Sequence, residues 1–227
     1  MPVYLLSDEP FFPDPELARA DGLLAIEGDL TPKRLIQAYA NGIFPWYSEG
    51  EPILWWSPNP RMVLFPKDFK RTKSLRRTVN KGLFKVTFDV AFNKVINLCA
   101  STRKNDELGT WITGEMVDAY IALHNMGLAH SVESWLDGKL VGGLYGVSLG
   151  GVFFGESMFH LVSDASKVAL WHLVDKLLAW DFDLIDAQQE TPHLSRLGAV
   201  AIERKKFLHL LNKSLARPAK QGRWTEH

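Results

Sequence analysis

The sequence holds one cysteine, Cys99, so no disulfide framework within the chain can brace it. No apolar run approaches the roughly 18 residues that mark a membrane-spanning helix. The opening MPVYLLSDEPFF lacks a basic stretch and a long apolar core, which speaks against a secretory signal. A soluble, cytoplasmic protein is expected. HExxH, Walker and dinucleotide-binding fingerprints are also missing, so nucleotide hydrolysis and hydride transfer have no support. One cysteine cannot build a zinc ribbon, and His124 and His130 straddle a helix end, so they read as structural. Cys99 lies in an apolar helical pattern and reads as core. Gly155-Glu156-Ser157-Met158-Phe159 echoes a nucleophile elbow, but Phe159 stands where the closing glycine belongs.

What is present is ordinary in bulk and uneven in distribution. The 227 residues are 46% hydrophobic and 23% charged, enough to bury a core without metal or disulfide. Ten of the 12 prolines fall in residues 1–66, which predicts turns and short elements there. Net charge is zero, yet residues 67–85 carry eight Lys/Arg against Asp68 alone. The tail 203–227 carries seven basic residues against two acids. A polyanion-binding face and a solvated helix face are both open for 67–85, and the tail reads as frayed and solvated.

The pattern predicts a change of organisation near residues 62–66. Before it, Thr31 caps a helix with Pro32 at its first position and Gly42 as its stop. After it come a basic helix over 72–81, a strand over 84–88 and helices over 91–100 and 113–124. Strands 130–136 and 139–149 flank the hairpin turn Asp137-Gly138. A short strand over 152–154, a helix over 165–180 capped by Ser163 or Asp164, a strand over 184–188 and a helix over 205–212 complete the reading.

Chemistry concentrates in two places. Gly142, Gly143, Gly146, Gly150, Gly151 and Gly155 crowd two adjacent strands, where glycine is costly unless a backbone or ligand comes close. Glu156 sits among apolar neighbours, and an unpaired carboxylate there is expensive. In Leu184-Ile185-Asp186-Ala187-Gln188, strand alternation puts Asp186 and Gln188 on one face. A shared pocket or a satisfied polar pair at a strand end would both fit.

The segments GLLAIEGDLTPKRLIQAYANGIFPWYSEGEPILWWSPNPR, GTWIT, LVGGLYGVSLGGVFFGESMF, ASKVAL and LIDAQ resemble the leucyl/phenylalanyl-tRNA–protein transferases of bacteria, in order, over roughly residues 10–211. The resemblance implies an α+β protein. A small N-terminal domain (residues 1–63) precedes a C-terminal domain (64–227) like the GNAT acyltransferases. It implies transfer of Leu or Phe, and weakly Met, from charged tRNA to proteins beginning with Arg or Lys, marking them for N-end-rule degradation. The aminoacyl ester is already activated, so no cofactor and no metal are implied, and the enzyme is expected to be a cytoplasmic monomer.

Residue roles follow the same resemblance. Asp186 and Gln188 correspond to the pair that activates the amine, with Gln188 orienting it and Asp186 polarising or fixing it. Glu156 corresponds to the active-site carboxylate, and whether Glu156 or Asp186 handles the proton stays open. Leu144, Phe153, Gly155, Met158, Leu170, Leu173, Leu177 and Ile185 correspond to the amino-acid pocket. Tyr39, Trp46 and Trp111 correspond to contacts with the 3′-terminal adenosine. Lys70, Arg71, Lys73, Arg76, Arg77 and Lys81 correspond to contacts with tRNA phosphates. Trp55 and Trp56 read as packing. An acetyl-CoA-dependent N-acetyltransferase and a non-catalytic RNA-binding module are the rival readings. The first is opposed by Ser163-Asp164-Ala165-Ser166-Lys167, which lacks the glycines of a pyrophosphate-binding turn.

Overall fold

In this computed structural model, the structure describes residues 2–104 and 111–225. Among them, two sheets are present. The first has the order β1-β2-β4-β3, from β1 (Tyr4–Leu5), β2 (Leu23–Ile26), β3 (Phe44–Pro45) and β4 (Leu54–Trp56). The second has the order β11-β5-β10-β9-β8-β7-β6. Its strands are β5 (Arg61–Leu64), β6 (Lys85–Phe88), β7 (Ala129–Leu136), β8 (Lys139–Leu149), β9 (Val152–His160), β10 (Leu184–Gln188) and β11 (Val200–Ile202). The change of sheet therefore falls at residues 57–60. The expected division at 63–64 lies inside β5, whose backbone pairs with both β10 and β11.

Seven α-helices are described: α1 (Pro32–Ala40), α2 (Lys73–Asn80), α3 (Phe92–Lys104), α4 (Gly114–Asn125), α5 (Ala165–Ala179), α6 (Pro192–Arg196) and α7 (Arg204–Leu215). Thr31, Thr72 and Thr113 accept from backbone N–H groups one turn in, as caps should. Asp164 precedes α5 but makes no cap bond; it is held by Lys167 and Thr78. The fold class is α+β. α1, α3, α4 and the first sheet share one apolar core, while α5 covers the other core with Leu144, Phe153 and Ile185.

Two expectations change. β9 runs on to His160, so the GESMF segment is strand and not a strand–turn–helix elbow. The tail is not frayed as far as it is described, to residue 225: Trp224 is 4% exposed, and Gly222 donates its N–H to the Gly127 carbonyl at 3.0 Å. Cys99 is buried in the core, as read from the sequence.

Candidate active site

β9 and β10 run parallel, joined by the α5 crossover, and pair only at Leu184–Val152, Ile185–Phe153 and Asp186–Phe154. Beyond that point each strand is bulged. On β9, Tyr145 faces Ser157 and Gly146 faces Gly155, which leaves Glu156 as the extra residue. On β10, Asp186 faces Val63 and Gln188 faces Met62, which leaves Ala187 as the extra residue. A bulge re-aims side chains and breaks the two-residue alternation. The expected sharing of one face by Asp186 and Gln188 is lost for that reason.

The two side chains go to different partners. Asp186 is fully buried and accepts from Arg61 Nε at 2.8 Å and Nη2 at 2.6 Å. Arg61 also donates to the Gly42 carbonyl and lies against the rings of Phe44 and Phe207. Asp186 Oδ1 further accepts the Gln188 N–H at 3.0 Å, holding Gln188 in the left-handed region at φ +62°. That conformation costs about 1–3 kcal/mol for a non-glycine residue. Gln188 Nε2 donates to Glu156 Oε1 at 2.7 Å.

Glu156 is the hub. Its second oxygen accepts from the Tyr120 hydroxyl at 3.0 Å, and the Tyr39 hydroxyl bonds that of Tyr120 in turn. Burial pushes Glu156 up to about 7, against the bonds from Tyr39, Tyr120 and Gln188, which favour its charged form. Burial, seconded by the charge of Glu156, holds both phenols well above their ordinary value.

Glu156 and Gln188 stand in the wall of a cavity of about 280 Å³. Leu144, Phe153, Gly155, Met158, Leu170, Leu173 and Ile185 line it, together with Leu64, Leu194 and His193. Leu177 does not; it is fully buried in the core beneath α5. A Cβ on Gly155 would meet nothing nearer than 3.6 Å, so this glycine leaves open space. A Cβ on Gly146 would lie 2.6 Å from Phe153 Cε1, so that glycine lets the Phe153 ring lie on the neighbouring strand.

Of the three aromatics expected to meet a nucleotide, Tyr39 cannot, because it is fully buried against Phe154. Trp46 is 38% exposed and Trp111 is half-buried. A hydrogen bond between the Tyr47 and Thr113 hydroxyls ties their two segments together. Gly109 and Thr110 of the GTWIT segment lie outside the described residues. Trp55 is buried and donates to the Glu27 carbonyl, and Trp56 donates to the Trp46 carbonyl, so both are packing residues. Lys70, Lys73, Arg76, Arg77 and Lys81 are exposed, whereas Arg71 is paired with Asp175 and packed on Trp171.

The family described as leucyl/phenylalanyl-tRNA protein transferase matches residues 63–212, and its N-terminal domain matches residues 28–59. The chain belongs to this family. A member from Desulfatibacillum aliphaticivorans, named leucyl/phenylalanyl-tRNA–protein transferase, is 57% identical over 99% of this chain and 97% of its own. Relatives of the same name from Myxococcus xanthus and Legionella pneumophila are 53% and 57% identical, over 100% and 94% of this chain and 97% and 96% of theirs. Among solved structures, a GCN5-related N-acetyltransferase from Kribbella flavida is similar in part, at 11% identity over 78% of this chain and 63% of that one, with a TM-score of 0.36.

Sequence reasoning missed Arg61, Tyr120 and the bond of Tyr39 to Tyr120. A signal for Arg61 was there: an arginine opening the apolar run Arg61-Met62-Val63-Leu64 needs a buried carboxylate, and Asp186 stands in a similar run.

Proposed function

We propose that the protein moves leucine or phenylalanine, and weakly methionine, from charged tRNA to the α-amine of a protein chain that begins with arginine or lysine. The observation that carries this reading is an apolar cavity whose wall holds a bonded carboxylate and amide, Glu156 and Gln188. The donor side chain fills the cavity. Unbranched side chains fit an apolar slot better than β-branched ones, which are stiff at χ1. The ester carbonyl then lies beside Glu156 and Gln188.

The amide of Gln188 spends a donor on Glu156, which leaves its oxygen to accept from the incoming amine. The amine attacks the ester carbon, a C–N bond forms, and the carbonyl electrons move to oxygen. Glu156, pushed up to about 7, is matched to an α-amine of about 7.7–8.0 and takes its proton. The C–O bond to the ribose breaks as the carbonyl re-forms, and the proton passes to the leaving 3′-oxygen. Asp186, held by Arg61, is a positioning residue that fixes the Gln188 backbone. Holding both reactants in place supplies much of the acceleration, up to about 7–11 kcal/mol.

Trp46 and Trp111 remain as surfaces for the terminal adenosine, and the exposed Lys70, Lys73, Arg76, Arg77 and Lys81 as the phosphate-binding face. No described helix is long and apolar enough to cross a membrane. On this reading the enzyme works in the cytoplasm, as a monomer, and marks its products for N-end-rule degradation. The test is to offer labelled Phe-tRNA or labelled acetyl-CoA with a peptide beginning with Arg. Label entering the peptide from Phe-tRNA alone is expected. Transfer from acetyl-CoA, or from neither donor, overturns the reading.

A further inference from the structure

The segment after α7 lies beyond the part of the chain that the family match covers, yet it is seated firmly. The Trp224 N–H donates to Asp89 Oδ2 at 2.7 Å and its indole N–H to the Lys220 carbonyl at 3.0 Å. Gln221 donates to the Met126 carbonyl. The indole stacks on His130 with centroids 3.8 Å apart and planes 8° apart. His130 is itself fixed by Asp89, at 2.8 Å.

The Trp224 ring also meets the wall of the amino-acid cavity. It lies 5.9 Å from the ring of Phe153, tilted by 41°. Phe153 is 1% exposed and lines the cavity. On one side Phe153 rests on the bare backbone of Gly146; Trp224 closes another. A buried ring so confined has no room to retreat, because interiors pack at crystal-like density and a neighbour's loss leaves a void.

We propose that Trp224 sets the depth of the amino-acid cavity by backing Phe153, and so is a positioning residue for the choice of donor side chain. This inference rests on the proposed transfer reaction. Removing the indole frees Phe153 to swing back, and the cavity deepens. A short donor such as leucine then loses contact that a phenylalanine ring keeps.

The test measures kcat/KM for Leu-tRNA and Phe-tRNA with an Arg-initiated peptide, together with thermal melting. In Trp224→Ala the Leu-to-Phe ratio should fall about tenfold, within the range that one or two methylenes contribute in an apolar pocket. Trp224→Phe should restore the ratio to within about twofold. Phe153→Leu should shift the ratio by itself, and adding Trp224→Ala to it should change the ratio little further, as for two residues acting through one contact. A purely structural role would lower both donors equally, and an unchanged ratio overturns the proposal. If the alanine variant does not melt cooperatively, Trp224→Leu and Trp224→Phe carry the test, and a ratio that ignores ring size across them overturns it too. Failure of the unaltered protein with both donors would instead overturn the transfer reaction itself.

Discussion

Arg61 and Asp186 form a bidentate ion pair 125 positions apart in the sequence, with both side chains sealed from solvent. The pair keeps Asp186 out of the cavity lining and makes it a fixture for the Gln188 backbone. Breaking a buried pair from one side strands the other charge. Arg61→Ala and Asp186→Ala should each cost about 3–5 kcal/mol of stability, read by denaturant unfolding. A loss under 1 kcal/mol for Asp186→Ala with turnover abolished would return Asp186 to direct chemistry.

Glu156 couples stability to pH. Its folded value of about 7 lies above the ordinary 4.5, so between those values the folded protein keeps a proton that the unfolded chain has released. Stability from this group is complete below about pH 4.5 and is lost as pH rises through 7, by about 3 kcal/mol. Melting of Glu156→Gln should show that slope flattened. Transfer should rise with pH through about 7 as Glu156 ionises, and Tyr120→Phe, which removes a bond favouring the carboxylate, should move that midpoint upward.

Two glycines on neighbouring strands should respond oppositely to alanine. At Gly155 the new methyl meets only ordinary contacts, so Gly155→Ala should melt within about 0.5 kcal/mol of the parent while transfer of Phe falls more than transfer of Leu. At Gly146 the methyl would lie 2.2 Å from the Phe154 carbonyl oxygen, so Gly146→Ala should destabilise by about 3 kcal/mol or more. Equal behaviour of the two variants would mean that the cavity is misplaced.

The basic residues divide by whether their charge is already matched. Arg76 and Arg77 are exposed on α2, so replacing both with alanine should weaken tRNA binding and reduce the slope of log K against log salt by up to about 2. Arg71 is paired with Asp175, so Arg71→Ala should change the slope less. The check is a titration of binding across salt concentrations, and a double variant with the parental slope removes α2 from the interface.

Most elements were legible because their signals are local. Thr31 and Pro32 start α1, Asp137-Gly138 turns β7 into β8, and β10 spans Leu184–Gln188 as read. The face of each site residue was less legible, because two bulges, at Glu156 and Ala187, override the strand alternation. A bulge is defined by the partner strand, and no window along one strand reveals it. Seven of the eight residues that the family resemblance assigns to a pocket line one cavity. Leu177 fell outside, since periodicity along α5 does not separate cavity from core. The resemblance puts Tyr39 against the terminal adenosine, whereas it is fully buried, and its hydroxyl partner, Tyr120, lies 81 positions away. The charge of the tail suggests solvation, whereas Gln221, Gly222 and Trp224 together seat it on the Met126–Gly127 turn, Asp89 and His130.

Tyr39 comes from α1, and the residues it supports come from β9 and α4. Its ring leans on Phe154 and its hydroxyl steadies the one that Glu156 depends on. The opening sixty residues thus underlie the cavity wall, and a shortened chain starting at Arg61 would lose the ring that packs on Phe154 and the hydroxyl that bonds Tyr120.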